Sequence, residues 1–273
     1  MPLFIVPTPV GNLEDMSPRA VRILREADLV ACEDTRKSLP LLRHFGIGKP
    51  LSSYHAHNER GKADFLLREL AEGKSVALIS DAGTPGISDP GYEIIRRCVE
   101  ERVEITVLPG PTAFVPALVA SGLPPYPFLF WGFLPDRKGE RKGALASLAG
   151  CPWTLVFYIS PHKAEKHLSS LLEVLGDRRA ALVREISKIY EEVRRGTVSS
   201  LLESVREGVR GEIVLVVEGA REKPLSGQGW QDAARDLAEK GMSSRDVVKI
   251  LSEEYGLSKN DVKSFLFEIR EEE

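Results

Sequence analysis

Ser80-Asp81-Ala82-Gly83-Thr84-Pro85-Gly86-Ile87-Ser88-Asp89-Pro90-Gly91 follows the apolar run Val76-Ala77-Leu78-Ile79 and precedes residues 92–101, where Ile94, Ile95 and Cys98 share one side of a helical pattern. The run reads as a buried strand, so the twelve residues form a loop at its C-terminal end. Open α/β sheets bind ligands at that edge. Gly83, Gly86 and Gly91 keep Cβ atoms away, and Pro85 and Pro90 preset the backbone. Bare N–H groups can then approach a polar ligand. The loop lacks the Gly-Lys-Ser/Thr ending of a Walker A motif, and G-x-G-x-x-G does not occur in it.

The same alternation extends in both directions. Strands are expected at 3–6, 28–32, 76–80 and 104–108, and helices from Ser17-Pro18, at 62–72, 92–101 and 113–120. This order predicts an α/β fold with a mainly parallel sheet and helices on both faces. The Pro- and Gly-rich run Ser121-Gly122-Leu123-Pro124-Pro125-Tyr126-Pro127 marks a boundary. Beyond it, strands at 128–133, 153–159, 180–186, 191–197 and 212–217 alternate with helices at 141–149, 163–175 and 199–206. Their closer spacing near the end predicts a mixed sheet. Residues 223–229 read as a linker, and three helices at 230–240, 243–255 and 258–271 resemble a helix-turn-helix unit. The expected division is 1–120 and 121–222, two α/β domains, then 223–273, a helical tail.

A net charge of −3 excludes a generally basic nucleic-acid coat, so any RNA contact must be local. Cys32, Cys98 and Cys151 are too few and too far apart for a disulfide framework or a metal site, and read as small core residues. The first residues have no basic segment before their short apolar run, and no run reaches transmembrane length. A soluble, cytoplasmic protein with no membrane partner is expected.

Four further segments now line up with that loop: Ile5-Val6-Pro7-Thr8-Pro9-Val10-Gly11-Asn12-Leu13, Ala31-Cys32-Glu33-Asp34-Thr35-Arg36, Ser53-Tyr54-His55-Ala56-His57-Asn58-Glu59 and Leu108-Pro109-Gly110-Pro111-Thr112-Ala113. With Phe157-Tyr158-Ile159-Ser160-Pro161-His162, Arg184-Glu185-Ile186-Ser187-Lys188 and the run from Gly211 to Gly219, they cover almost the whole chain. Together they resemble the ribosomal RNA small subunit methyltransferase I family of the tetrapyrrole-methylase-like superfamily. The resemblance implies two α/β domains with S-adenosylmethionine in the cleft between them. It also implies 2′-O-methylation of a cytidine in the decoding region of small-subunit (16S) ribosomal RNA, free or in the assembled subunit, by a homodimer. One departure is visible: Tyr190 stands where the family pattern has a histidine.

On that reading the N–H groups of the loop, at Ala82, Gly83, Thr84 and Ile87, receive the donor's carboxylate, and Asp81 accepts from its ammonium or a ribose hydroxyl; a loop carboxylate satisfied by neighbouring N–H groups is the alternative for Asp81. Pro7, Val10 and Gly11 close a neighbouring strand end, where Val10 and Gly11 can approach the ligand; a plain tight βα turn is an equal alternative. Pro111 and Thr112 open a helix whose free N–H groups favour an anionic atom. Phe157 and Tyr158 offer an apolar slot for adenine, with Glu185 and Glu218 near strand ends at its border; for the two aromatics, core packing is an equal alternative. A general base for the ribose hydroxyl contributes roughly 10²–10⁴-fold. Asp34 and His57 are the candidates, with Arg36 to hold a phosphate; a plain Asp34–Arg36 surface ion pair, with the histidines as polar loop residues, is the alternative. Residues 136–142, basic and next to Trp131 and Phe133, fit an RNA surface or a solvated loop. Two other functions compete: methylation of a tetrapyrrole or other small substrate, and a noncatalytic nucleic-acid binder using the terminal helices.

Overall fold

Ten short elements alternate through the first part of the chain: β1 (Leu3–Ile5), α1 (Pro18–Glu26), β2 (Leu29–Cys32), α2 (Thr35–His44), β3 (Leu51–Ser53), α3 (Glu59–Ala71), β4 (Val76–Ile79), α4 (Tyr92–Glu100), β5 (Ile105–Val107) and α5 (Phe114–Ser121). These belong to a computed structural model that describes residues 1–220, 229–254 and 257–271. The five strands pair in the order β3-β2-β4-β1-β5, all parallel. Successive side chains point to opposite faces. Leu29, Ala31, Val76 and Leu78 therefore pack with Ala63, Leu66 and Leu70 of α3 and Ile94 of α4. Val30, Cys32, Ala77 and Ile79 pack on the other face with Ile23 and Leu24 of α1 and Leu42 of α2. Each fully buried Leu or Ile contributes about 1.5–3 kcal/mol. The expected parallel sheet with helices on both faces is present, and all five strands end at one edge.

The second sheet comprises β6 (Phe128–Phe133), β7 (Thr154–Ile159), β8 (Arg179–Arg184), β9 (Glu192–Thr197) and β10 (Ile213–Val217), with α6 (Lys138–Leu148), α7 (Ala164–Leu175) and α8 (Val198–Val205) between them. Its order is β6-β7-β10-β8-β9. Only β6 and β7 pair in parallel, so the sheet is mixed as expected. One face packs on α6, α7 and α8 through Phe157, Leu182, Leu215, Leu145, Leu168 and Leu201. The other face, with Val156, Val183, Val214 and Val216, is covered by Ala117 and Leu118 of α5. The last helix of the first series thus packs on the second sheet.

Two local details go beyond the sequence reading. Residues 33–61 hold α2 and β3, which the sequence pattern does not reveal. Pro40 inside α2 removes an intrahelical donor, and β3 is only Leu-Ser-Ser. The basic segment at 136–142 runs into the first turns of α6: residues 136–140 stay exposed, while Arg141 turns inward. There Arg141 is 1% exposed and donates to Ser170 Oγ at 3.0 Å and to the carbonyls of Pro135 and Asp136. Arg137 pairs with Glu140 and Lys142 with Glu173. Residues 1–219 form one compact unit.

The second unit begins at Ala220. It contains α9 (Gly229–Glu239), α10 (Ser244–Glu254) and α11 (Lys259–Glu271) around Ala234, Val247, Leu251 and Val262. The expected linker, apart from its last residue, and the Tyr255-Gly256 turn lie outside the described residues.

Candidate active site

Five strand-end loops of the first sheet meet one edge of the second. Between the loops after β1, β4 and β5 and the second sheet lies a cavity of about 320 Å³, within the usual range for small-ligand sites. From the first sheet it takes Val10, Ala82, Gly83, Thr84, Ile87, Ser88, Asp89, Thr112, Ala113 and Phe114. From the second it takes Phe133, Tyr158, Ser160 and the start of β10 at Glu212, Ile213 and Val214, among others.

The loop after β4 is held by its own backbone. Thr8 and Gly83 exchange two hydrogen bonds of 2.9 Å, and Thr8 Oγ1 donates to the Ser80 carbonyl at 3.0 Å. Gly86 N–H donates to the Pro90 carbonyl, and Gly91 N–H to Glu59 Oε1 at 2.8 Å. Gly91 sits at φ 147°, and a Cβ there would lie 2.9 Å from the Gly86 nitrogen. These bonds correct the expectation of a row of bare N–H groups. Gly83 and Gly86 are committed inside the fold, and Ile87 N–H points to the Thr84 carbonyl at 3.4 Å. Within 83–87, the Thr84 N–H remains without a protein acceptor among the described residues.

Asp89 dominates the electrostatics. Its carboxylate accepts no hydrogen bond and pairs with no cation among the described residues, yet it faces the cavity. Burial first, then the like charges of Glu33, Asp81 and Glu212, push it up to about 7. Burial likewise raises the Tyr158 hydroxyl to about 12, with Asp89 adding to the effect. The Tyr158 ring lies 5.4 Å from Phe133 and 5.0 Å from Phe130, so one wall is aromatic.

The expected donor residues divide by strand geometry. Val10, Ala82, Gly83, Thr84, Ile87, Thr112 and Tyr158 line the cavity. Phe157 does not: alternation turns it into the core at 0% exposure. Pro7 is buried, and a Cβ on Gly110 would meet its ring at 2.6 Å, so its contact is the loop after β5. Pro111 is placed behind the wall, its carbonyl 3.4 Å from Thr84 Oγ1. Glu185 braces the rim instead of lining it, accepting from Glu212 N–H at 2.8 Å and from Lys188 Nζ at 3.0 Å. Glu218 sits at the far end of β10, about 17 Å of strand from Ile213, beside Arg179. Because β10 runs antiparallel to β7 and β8, its first residue reaches the site and its last does not.

A smaller cleft of about 160 Å³ collects Gly11 and Asp81 with Pro9, Lys37 and Ser38. Asp81 accepts from Lys37 Nζ at 2.7 Å and from Asp34 N–H at 3.2 Å, so it is tied to the start of α2. Gly11 lies against Ile186 and Lys188, where a Cβ would collide with the lysine stem. Asp34 caps α2 and grips Arg36 through two contacts of 3.0 and 2.7 Å. That fork holds the Asp34 carboxyl down to about 2, which makes it a weak proton acceptor. His57 is exposed in the loop after β3, its ring 6.1 Å from that of His55. None of Asp34, Arg36 and His57 lines the cavity. Tyr190 is 73% exposed and also lies outside it.

Sequence reasoning missed Asp89, Glu212, Phe114 and Phe133. Asp89 stands inside the opening loop, and its signal was a carboxylate between strand and helix with no basic neighbour. Glu212 precedes a strand, which flags a site only once that strand is known to be antiparallel.

Residues 2–202 match the tetrapyrrole (corrin/porphyrin) methylase family. A ribosomal RNA small subunit methyltransferase I of Halalkalibacterium halodurans is 41% identical over 267 residues, 95% of this chain and 92% of that one. That of Escherichia coli O157:H7 is 42% identical over 274 residues, 97% and 94% of the two chains. Among solved structures, a uroporphyrin-III C-methyltransferase from Thermus thermophilus, complexed with S-adenosylhomocysteine, superposes with a TM-score of 0.57 at 23% identity. The match covers 80% of this chain and 97% of that one.

Proposed function

The chain belongs to the ribosomal RNA small subunit methyltransferase I family, and we propose that it transfers a methyl group from S-adenosylmethionine to a ribose 2′ oxygen of small-subunit (16S) ribosomal RNA. The observation that carries the donor site is the unpaired Asp89 carboxylate in a cavity walled by Tyr158 and Phe133. That combination fits a cationic ligand with an aromatic base.

S-adenosylmethionine, when bound, supplies an electrophilic methyl group on a sulfonium. The protein's part is to hold, orient and desolvate. Asp89 offers its charge to the ammonium, and Thr84 N–H and the segment at Thr112 that leads into α5 favour the carboxylate. Tyr158 and Phe133 present apolar faces to adenine. Aligning donor and acceptor is a large part of the rate. On the acceptor side, the ends of β2 and β3 contribute Arg36, oriented by Asp34, for a phosphate, and His57 for the proton of the 2′-hydroxyl. The target is a cytidine of the decoding region, in free rRNA or the assembled subunit, and the working form is a cytoplasmic homodimer. The division into 1–120, 121–222 and 223–273 belongs to the same proposal. Among the described residues no helix is long and apolar enough to cross a membrane.

The test incubates the protein with methyl-labelled S-adenosylmethionine and small ribosomal subunits lacking native methylation. Label that protects one cytidine linkage from alkaline cleavage supports the reading. Confirmed donor binding without rRNA label sends the search to small acceptors.

A further inference from the structure

The tail as a whole is acidic, with eight Lys/Arg and eleven Asp/Glu from Lys223 onward. Its surface is not uniform. Between α10 and α11 lies an open groove of about 980 Å³, lined by Arg245, Lys249, Lys259, Lys263, Phe267 and the single carboxylate Asp246, among others.

Helical spacing builds this face. Arg245 and Lys249 are four apart on α10, and Lys259, Lys263 and Phe267 recur at intervals of four on α11, so each set forms one stripe. The buried stripe of α11 is different: Val262, Phe265 and Leu266 face the core. The four cations are exposed and make no ion pair among the described residues. By contrast, Arg235 and Lys240 on α9 are matched by Asp232 at 3.5 Å and Asp236 at 2.6 Å. Asp246 is engaged by the Ser243 hydroxyl at the start of α10. Phe267 is 64% exposed although apolar neighbours are at hand. Two rows of unmatched cations flanking an open groove, with an aromatic face on the rim, fit a sugar-phosphate backbone with a base stacked beside it. An acidic peptide does not need the exposed ring.

We propose that the α10–α11 groove holds the backbone of the substrate RNA, with Arg245, Lys249, Lys259 and Lys263 on phosphates and Phe267 stacking on an unpaired base. This rests on the RNA reading of the active site. The helical tail is then an affinity element, and the chemistry stays in the cavity of the first unit.

The test uses the full chain and the double variant Lys249→Gln/Lys263→Gln, with Lys240→Gln as a matched control on α9. Binding of unmethylated small-subunit rRNA is measured across salt, together with donor affinity and single-turnover transfer at saturating RNA. Neutralising two phosphate contacts on single-stranded RNA lowers the slope of log K against log salt by about 1.4. The affinity lost between about 50 and 200 mM salt is then about sevenfold smaller than for the wild type. Donor affinity, melting temperature and saturating rate stay at wild-type values, and Lys240→Gln matches wild type throughout. Phe267→Ala weakens binding without changing the salt slope. An unchanged RNA affinity and salt slope in the double variant overturn the proposal, whether or not the oligomeric state changes. A wild-type protein that binds donor but leaves rRNA unlabelled instead overturns the reading on which it rests.

Discussion

Changing Asp89 to Asn should have opposite effects on binding and stability. In the ligand-free protein the Asp89 carboxyl titrates at about 7 because it is buried beside Glu33, Asp81 and Glu212. A bound ammonium stabilises the ionised form and draws that value down. Donor affinity therefore follows the ionised fraction, about nine-tenths at pH 8 and one-tenth at pH 6, a loss of about tenfold over two pH units. A hydrogen bond to a charged group is worth about 1.5–3 kcal/mol, so Asp89→Asn should weaken the donor by about 10- to 150-fold at pH 8. The sign for folding is the reverse. A carboxyl raised in the folded state binds more protons there than in the unfolded chain, so its charge destabilises the fold as pH rises towards and past 7. The Asn variant should melt a few degrees higher at pH 8 without ligand, the gain being limited by the residue's partial exposure. Isothermal titration at pH 6, 7 and 8 reads the binding. The donor's own amine titrates near about 8 in both proteins, so the difference between variant and wild type is the signal. A variant that keeps the wild-type pH dependence, or that binds the donor normally, refutes the reasoning.

Strand parity separates Phe157 from Tyr158. Phe157→Ala should cost about 3–5 kcal/mol of stability and leave the donor affinity of the folded protein unchanged, whereas Tyr158→Ala should lower affinity more than about tenfold with the smaller effect on melting. Calorimetry and binding on both variants decide, and equal profiles contradict the assignment. Gly110→Ala places a Cβ against Pro7 and should destabilise by about 1–3 kcal/mol, which an unchanged urea midpoint would disprove. His167 is 1% exposed, its ring nitrogens have no hydrogen-bond partner among the described residues, and burial, then Arg141, lowers it to about 4. The unfolded chain takes up that proton near 6.5 and the folded one does not. Stability should therefore fall by about 2 kcal/mol from pH 7 to 5 and level off below about 4. Urea titrations of the wild type and His167→Phe check this, the variant losing the pH-dependent part.

The alternation of apolar runs and helical spacing revealed both sheets, because buried strands such as Val76–Ile79 and Ile213–Val217 are continuous apolar stretches bounded by turns. It did not reveal α2, where Pro40 interrupts the spacing, or β3, too short to carry a period. The donor loop was legible because Gly83, Gly86 and Gly91 are required by positive φ. Direction was not legible. Reading every strand end as a site end put Glu218 at the cavity, while the antiparallel β10 brings Glu212 there. Pairing was equally hidden: nothing in the order of residues shows that Asp34 is spent on Arg36, Asp81 on Lys37, or that Asp89 is left without a partner among the described residues.

The most direct measurement is a crystal structure with S-adenosylhomocysteine. The account predicts the ligand in the cavity between the Ala82–Thr84 segment and Tyr158, its amino nitrogen within hydrogen-bond distance of the Asp89 carboxylate. Ligand density in the cleft beside Lys37 and Asp81, with Asp89 facing only solvent, would contradict it.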